Sequence, residues 1–172
     1  MKIAIITFHA SDNCGSQLQT YALSKVIKEH FGVTPDVIDF SNRHQQEVYA
    51  TFRKIHRVKE LVRNLYRLLF LNLLKPYHKS FRDFISNYVN LTNVRYSLPE
   101  ELKTLDGKYD VYIAGSDQVW NTKAYDFDDS YFLDFVTKGR KIAYATSLGA
   151  TNIIESSRDK IKYTKLVNDF SM

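Results

Sequence analysis

The chain has 172 residues, 44% hydrophobic and 25% charged, with one Cys, six Gly, three Pro and a net charge of +5. That length can bury a core without metal or disulfide staples, and that composition excludes a disordered or fibrous chain. One Cys excludes an internal disulfide framework, and no Cys/His cluster has zinc-site spacing, so no metal is expected and a reducing cytoplasm suits the chain. In chain order, residues 2–8 read as a buried strand, too short for a signal peptide. Residues 9–16 read as a loop, residues 17–30 as a helix with Gly32 as its C-terminal cap, and residues 34–40 as a second strand. Strand, loop, helix and strand make a βαβ unit, which implies a parallel sheet.

Residues 43–90 read as a long helical insertion. Leu61, Leu65, Leu68, Leu69 and Leu73 keep a helical period, Pro76 is expected to break it, and Phe81, Phe84, Ile85 and Tyr88 resume it. Residues 98–105 read as a short helix with Ser97 as N-cap. Residues 109–114 form a third strand, and Gly115-Ser116-Asp117-Gln118-Val119-Trp120-Asn121 a loop. Residues 131–136 are apolar and aromatic. Residues 140–146 form a further strand, residues 153–166 a helix, and residues 167–172 resemble the start of a strand. The expected fold is α/β: a Rossmann-like open parallel sheet with flanking helices and a helical insertion.

The charge is uneven. Between Arg43 and Arg82 stand ten Lys and Arg against two Glu, a net of +8. The run Leu68-Leu69-Phe70-Leu71-Asn72-Leu73-Leu74 within it falls far short of the roughly 20 residues that span a bilayer. Two readings stay open: a membrane-facing or polyanion-facing helix, or an amphipathic pair packed on the sheet edge with a solvated basic face. No RNA or DNA motif accompanies the charge, so nucleic acid is not expected as a partner.

Two loops carry chemistry. The first follows strand one, where ligands sit in open α/β sheets and where a helix N-terminus favours an anion. Gly15 permits close backbone approach, and Asn13, Ser16 and Gln17 offer uncharged hydrogen bonds; the plain alternative is a loop capped by Asn13 or Ser16. Cys14 beside them reads as a small loop residue, with no paired His in sequence. In the second loop, Asp117 can take a proton from a hydroxyl and Trp120 can stack on a sugar. The alternative is that Asp117 caps a turn and Trp120 fills the core.

Four blocks resemble the polysaccharide pyruvyl transferase family: Asn13-Cys14-Gly15-Ser16-Gln17-Leu18-Gln19-Thr20-Tyr21-Ala22-Leu23, then Asp110-Val111-Tyr112-Ile113-Ala114-Gly115-Ser116-Asp117-Gln118-Val119-Trp120-Asn121, then Tyr131-Phe132-Leu133-Asp134-Phe135, then Lys141-Ile142-Ala143-Tyr144-Ala145-Thr146-Ser147-Leu148-Gly149. Cys14 stands where the family usually has an aromatic or other residue. The resemblance implies half of a glycosyltransferase-B-like fold, with two Rossmann-like halves facing a cleft. It implies transfer of a pyruvyl group from phosphoenolpyruvate, as donor substrate and without a cofactor, to a sugar of a cell-surface or exopolysaccharide glycan. On this reading residues 1–172 are the acceptor-side N-terminal half of a truncated chain, a split gene or a decayed copy, and the donor-binding C-terminal half is missing. Asp117 is then the candidate base, and Asn13, Gly15, Ser16, Gln17, Gly115, Ser116, Gln118 and Trp120 the candidate substrate contacts. The expected partners are a sugar or lipid-linked glycan acceptor, the second half, the inner membrane face and a second copy of the chain. The alternatives are a non-catalytic glycan-binding or scaffold remnant and a nucleotide-sugar glycosyltransferase-like domain.

Overall fold

The computed structural model describes residues 1–52, 54–55, 57–149 and 159–170. Strand β1 (Ile3–Ile6) is buried along its whole length, which its unbroken apolar run requires of a central parallel strand. It pairs in parallel with β2 (Asp36–Val37) on one side and β3 (Val111–Asp117) on the other, and β3 pairs with β4 (Arg140–Thr146). The order is β2-β1-β3-β4. Six helices flank this sheet among the described residues: α1 (Cys14–Phe31), α2 (Arg43–Tyr49), α3 (Val58–Leu69), α4 (Leu71–Tyr88), α5 (Pro99–Leu102) and α6 (Lys160–Asn168). The α/β class expected from the sequence is the one observed.

Alternation along the strands divides the core in two. Ile3, Ile5 and Ile113 meet Leu23 and Ile27 of α1 together with Ile85 and Val89 at the end of α4. Ala4, Ile6, Tyr112 and Ala114 meet Trp120, Tyr131, Phe132 and Leu133 on the opposite face. Each fully buried Ile contributes about 1.5–3 kcal/mol. Helix α1 starts on Asn13, whose side chain accepts from Gly15 N and Ser16 N, and stops at Gly32 with φ 66°.

Several elements depart from the sequence reading. The second strand shrinks to two residues, because beyond β1 its edge is covered by single bridges from Val37 to Leu91 and from Phe40 to Tyr96. Pro76 does not break the helix: α4 runs through it, and the break falls at Phe70. Asn72 and Pro76 are both exposed, so the carbonyl that loses its donor lies on the solvent side of the helix. The short helix is α5 followed by a 3₁₀ turn (Lys103–Leu105), and its N-cap is Leu98 rather than Ser97. There Glu101 accepts from Ser97 N at 2.8 Å and Leu98 N at 3.1 Å. Helix α6 continues through Val167 and Asn168, so these residues do not begin a strand. Residues 153–158 of the expected last helix, and residues 171–172, lie outside the described residues.

Gly115, Ser116 and Asp117 belong to β3 and not to a loop. Pairing with β4 carries the strand on, with Gly115 opposite Tyr144 and Asp117 opposite Thr146. Only glycine fits position 115: φ is 105°, and an added Cβ would lie 2.2 Å from the Tyr144 carbonyl oxygen.

Candidate active site

Helix α1 carries the chain from β1 out to β2, whereas the chain from β3 passes to β4 on the other side. The crevice between the carboxyl ends of β1 and β3 is therefore the point where the strand order reverses, the usual ligand position in such sheets. Ser16, in the first turn of α1, donates its hydroxyl to Asp117 Oδ2 at 2.9 Å across this crevice. The other carboxylate oxygen, Oδ1, accepts from Gln118 N at 2.7 Å. Both oxygens are thus oriented, and each keeps a lone pair. Asp117 is half-buried and holds φ 95°, sparse territory for a side-chain-bearing residue.

The backbone around Asp117 is fixed from both sides. The Gly115–Ser116 peptide bond is cis. Thr7, just past β1, donates to the Ser116 carbonyl at 2.8 Å and accepts from Gln19 Nε2 at 3.0 Å, while Ser116 Oγ donates to Gln19 Oε1. Ser147 N donates to the Asp117 carbonyl at 3.0 Å. Exposed Gln118 accepts from Asn121 Nδ2 at 3.1 Å, and Gly149 lies so close to this amide pair that a Cβ there would meet Gln118 Oε1 at 2.4 Å.

Of the residues singled out from the sequence, Ser16, Gly115, Ser116, Asp117 and Gln118 come together here. Gly15 stands beside them in the first turn of α1. Three others are engaged within the protein. Asn13 is the helix cap, so it occupies the amides of Gly15 and Ser16 that an anion would otherwise take. Gln17 is 5% exposed and donates to the Ser11 carbonyl at 3.0 Å. Trp120 offers no ring face to a sugar and is corrected to a core residue. Its ring stacks on Phe132 at 4.9 Å and 7°, Phe170 meets it at 5.3 Å, and its N–H donates to the Tyr131 carbonyl at 3.0 Å. Cys14 is exposed.

A second polar group lies on the β2 side of β1. His9 is buried, with Nε2 3.1 Å from Asp39 Oδ1. His78 of α4 donates from Nδ1 to Asp12 Oδ2 at 2.5 Å. Both pairs line a cavity of about 480 Å³ together with Tyr49, Arg82 and Arg95. Burial raises the Tyr49 phenol above its ordinary pKa and nearby Asp126 adds to this, against a hydrogen bond with Ser11. The sequence reading missed these residues. His9 and Asp39 were within its reach, since both follow adjacent parallel strands. His78 carries no local signal, because only the packing of α4 brings it to Asp12.

A sequence model of the polysaccharide pyruvyl transferase family matches residues 13–169. The chain belongs to this family. Membership implies a transferase, and it covers both arms of the crevice, Ser16 and Asp117. No curated protein and no solved structure matches the chain. Among the described residues, no helix of this family member is long and apolar enough to cross a membrane.

Proposed function

We propose that the chain provides the acceptor-side half of a pyruvyl transferase that moves a pyruvyl group from phosphoenolpyruvate to a sugar of a cell-surface glycan, with Asp117 as base. The Ser16–Asp117 contact at the sheet's switch point carries this reading. The enol phosphate of phosphoenolpyruvate takes a proton from solvent on its methylene carbon, which becomes the methyl group. One sugar hydroxyl then attacks the adjacent carbon and passes its proton to Asp117. A second hydroxyl attacks the same carbon, the bond from that carbon to the phosphate oxygen breaks, phosphate leaves with the second hydroxyl's proton, and the ketal closes. The Ser16 hydroxyl and Gln118 amide hold the carboxylate plane while it accepts the proton. Gly115 and Ser116 set the backbone from which Asp117 projects, and Gln118 stands exposed beside it to meet the sugar. Asn13, Gln17 and Trp120 support this arrangement from behind. The donor clamp is assigned to a second half that faces this one. The test is Asp117→Asn in the full gene product, reading phosphate release and ketal formation by mass spectrometry. A loss of about 10²- to 10⁴-fold in kcat is expected for a removed general base. Turnover equal to wild type would overturn the assignment.

The insertion supports a membrane-surface, cytoplasmic-side location for this half. No residue of α3 is buried. Val58 is 76% and Leu69 81% exposed, and Val62, Leu65 and Tyr66 continue the same stripe. Arg57, Lys59 and Arg63 stand exposed or half-exposed alongside it. An apolar stripe flanked by cations matches the interface of an anionic lipid leaflet. Arg67 has another task, donating to the carbonyls of Ala50 and Thr51 at 3.0 and 2.9 Å. Replacing Arg57, Lys59 and Arg63 by Gln should weaken binding to phosphatidylglycerol vesicles about a hundredfold, at about 1 kcal/mol per cation. Equal binding by wild type and variant, or none by wild type, refutes the placement.

A further inference from the structure

We propose that the cleft between α4 and the carboxyl ends of β1 and β2 is a binding site for a phosphorylated sugar, with Arg82 and Arg95 on the phosphate and His78 on a sugar hydroxyl. The argument begins with charge. The two carboxylates that line the cleft, Asp12 and Asp39, each face an imidazole. The two guanidiniums that line it, Arg82 and Arg95, have no ion pair or hydrogen bond among the described residues, and both are exposed. Two unpartnered guanidiniums at the mouth of a cavity whose acids are already matched call for an anion, and the planar fork suits phosphate.

His78 adds the second requirement. Asp12 accepts from its Nδ1–H, which leaves Nε2 as the acceptor nitrogen of the neutral ring. Nε2 has no partner among the described residues, and the ring lines the cleft. A carboxylate that fixes one nitrogen and frees the other is the arrangement that receives a hydroxyl proton. Arg82 follows His78 by one helical turn on α4, so the hydroxyl and anion positions are neighbours. Ser86 and Tyr49 offer further hydroxyls on the walls. A cavity of about 480 Å³ accommodates a hexose phosphate. The ligand chemistry is a sugar bearing a phosphoryl ester, whether free in solution or linked through phosphate to a lipid.

The inference stands on the cleft, whether or not Asp117 is the base. The experiment follows the His78 ring ¹⁵N resonances of the whole chain during titration. The soluble probes are glucose 1-phosphate, glucose and inorganic phosphate; the lipid probe is a polyprenyl phosphoglucose in phosphatidylcholine vesicles. Saturable shifts with glucose 1-phosphate or the lipid probe, and none with glucose alone, support the site, and the tighter of the two arms names the source. Arg82→Gln and Arg95→Gln, both at exposed positions that leave the fold intact, should each weaken glucose 1-phosphate and inorganic phosphate about tenfold. Asp12→Asn should move the ring tautomer and weaken glucose 1-phosphate about tenfold while leaving inorganic phosphate within about twofold. His78→Gln repeats that split if Asp12→Asn does not fold. Absence of saturable shifts in the wild type, an Arg82→Gln, Arg95→Gln double variant that binds like wild type, or an Asp12→Asn loss equal for sugar phosphate and phosphate would each overturn the proposal. Since the readout is binding at His78, its failure leaves the Asp117 reading standing, and the reverse holds too.

Discussion

Replacing Trp120 distinguishes a core indole from a sugar platform. The ring is 8% exposed, stacked on Phe132 and flanked by Phe170, with its N–H on the Tyr131 carbonyl. Truncation to Ala empties that space, which costs about 3–5 kcal/mol. It also leaves the Tyr131 carbonyl without its donor, a further 1–3 kcal/mol or so. Partial collapse of the site reduces the sum, so a loss of about 4–5 kcal/mol is expected, a large share of a typical domain's stability. Trp120→Phe keeps one stacked ring and loses the hydrogen bond and part of the volume, for about 2 kcal/mol. The assay is urea unfolding followed by far-UV circular dichroism, because Trp120 is the single Trp and its fluorescence vanishes with it. With a urea slope of about 2 kcal/mol/M, Trp120→Phe should lower the midpoint by about 1 M. In the wild type, the Trp fluorescence then reports unfolding and stays unchanged on addition of acceptor sugar. A Trp120→Phe protein as stable as wild type that binds the acceptor more weakly would refute the reasoning and restore the ring to the sugar.

Two further outcomes follow from the two ends of β3. Gly115→Ala places a Cβ 2.2 Å from the Tyr144 carbonyl oxygen and 2.9 Å from Thr146 Cγ2 at φ 105°, so thermal or urea unfolding should show a loss of about 2–4 kcal/mol; a loss below about 0.5 kcal/mol refutes the β3–β4 geometry. Asp106 accepts from the Thr137 hydroxyl and from Lys138 and Thr137 N–H groups, which lowers its pKa from 3.8 to about 2. Because the folded value lies below the unfolded one, this stabilisation is present above about pH 4 and is lost as pH falls toward 2. Asp106→Asn should remove that part of the acid dependence; unchanged unfolding curves between pH 4 and pH 2 would refute it.

Legibility in the sequence followed whether a signal was local. Strands β1 and β4 were visible as short apolar runs of Ile, Ala and Tyr bounded by polar residues. The end of β3 was not, because Gly115-Ser116-Asp117 has turn composition, and contacts distant in sequence, pairing with Tyr144 and Thr146 and the Thr7 bond to the Ser116 carbonyl, hold it in the strand through two positive φ values. Pro76 was read from local propensity, which an exposed helical face overrides. At the site, Asp117 and Ser16 were found by residue type and by their place after parallel strands. Asp12 and His78 lie 66 residues apart and meet only because Ile85 and Val89 seat the end of α4 against β1. Trp120 was visible as chemistry but not as location, since an indole suits a core as well as a sugar.

The two polar groups share one segment, residues 9–17, and this bears on how they work. Asp12 ties it to the insertion through His78, and Ser16 ties it to β3 through Asp117. Bracketing both, buried Gln17 donates to the Ser11 carbonyl and closes the turn. An insertion that served only to cover the sheet would bury all its apolar stripes. Helix α4 buries Ile85 and delivers His78, whereas α3 leaves its whole stripe in solvent. Helix α3 packs on α4, and α4 packs on α1, the helix whose first turn carries Ser16.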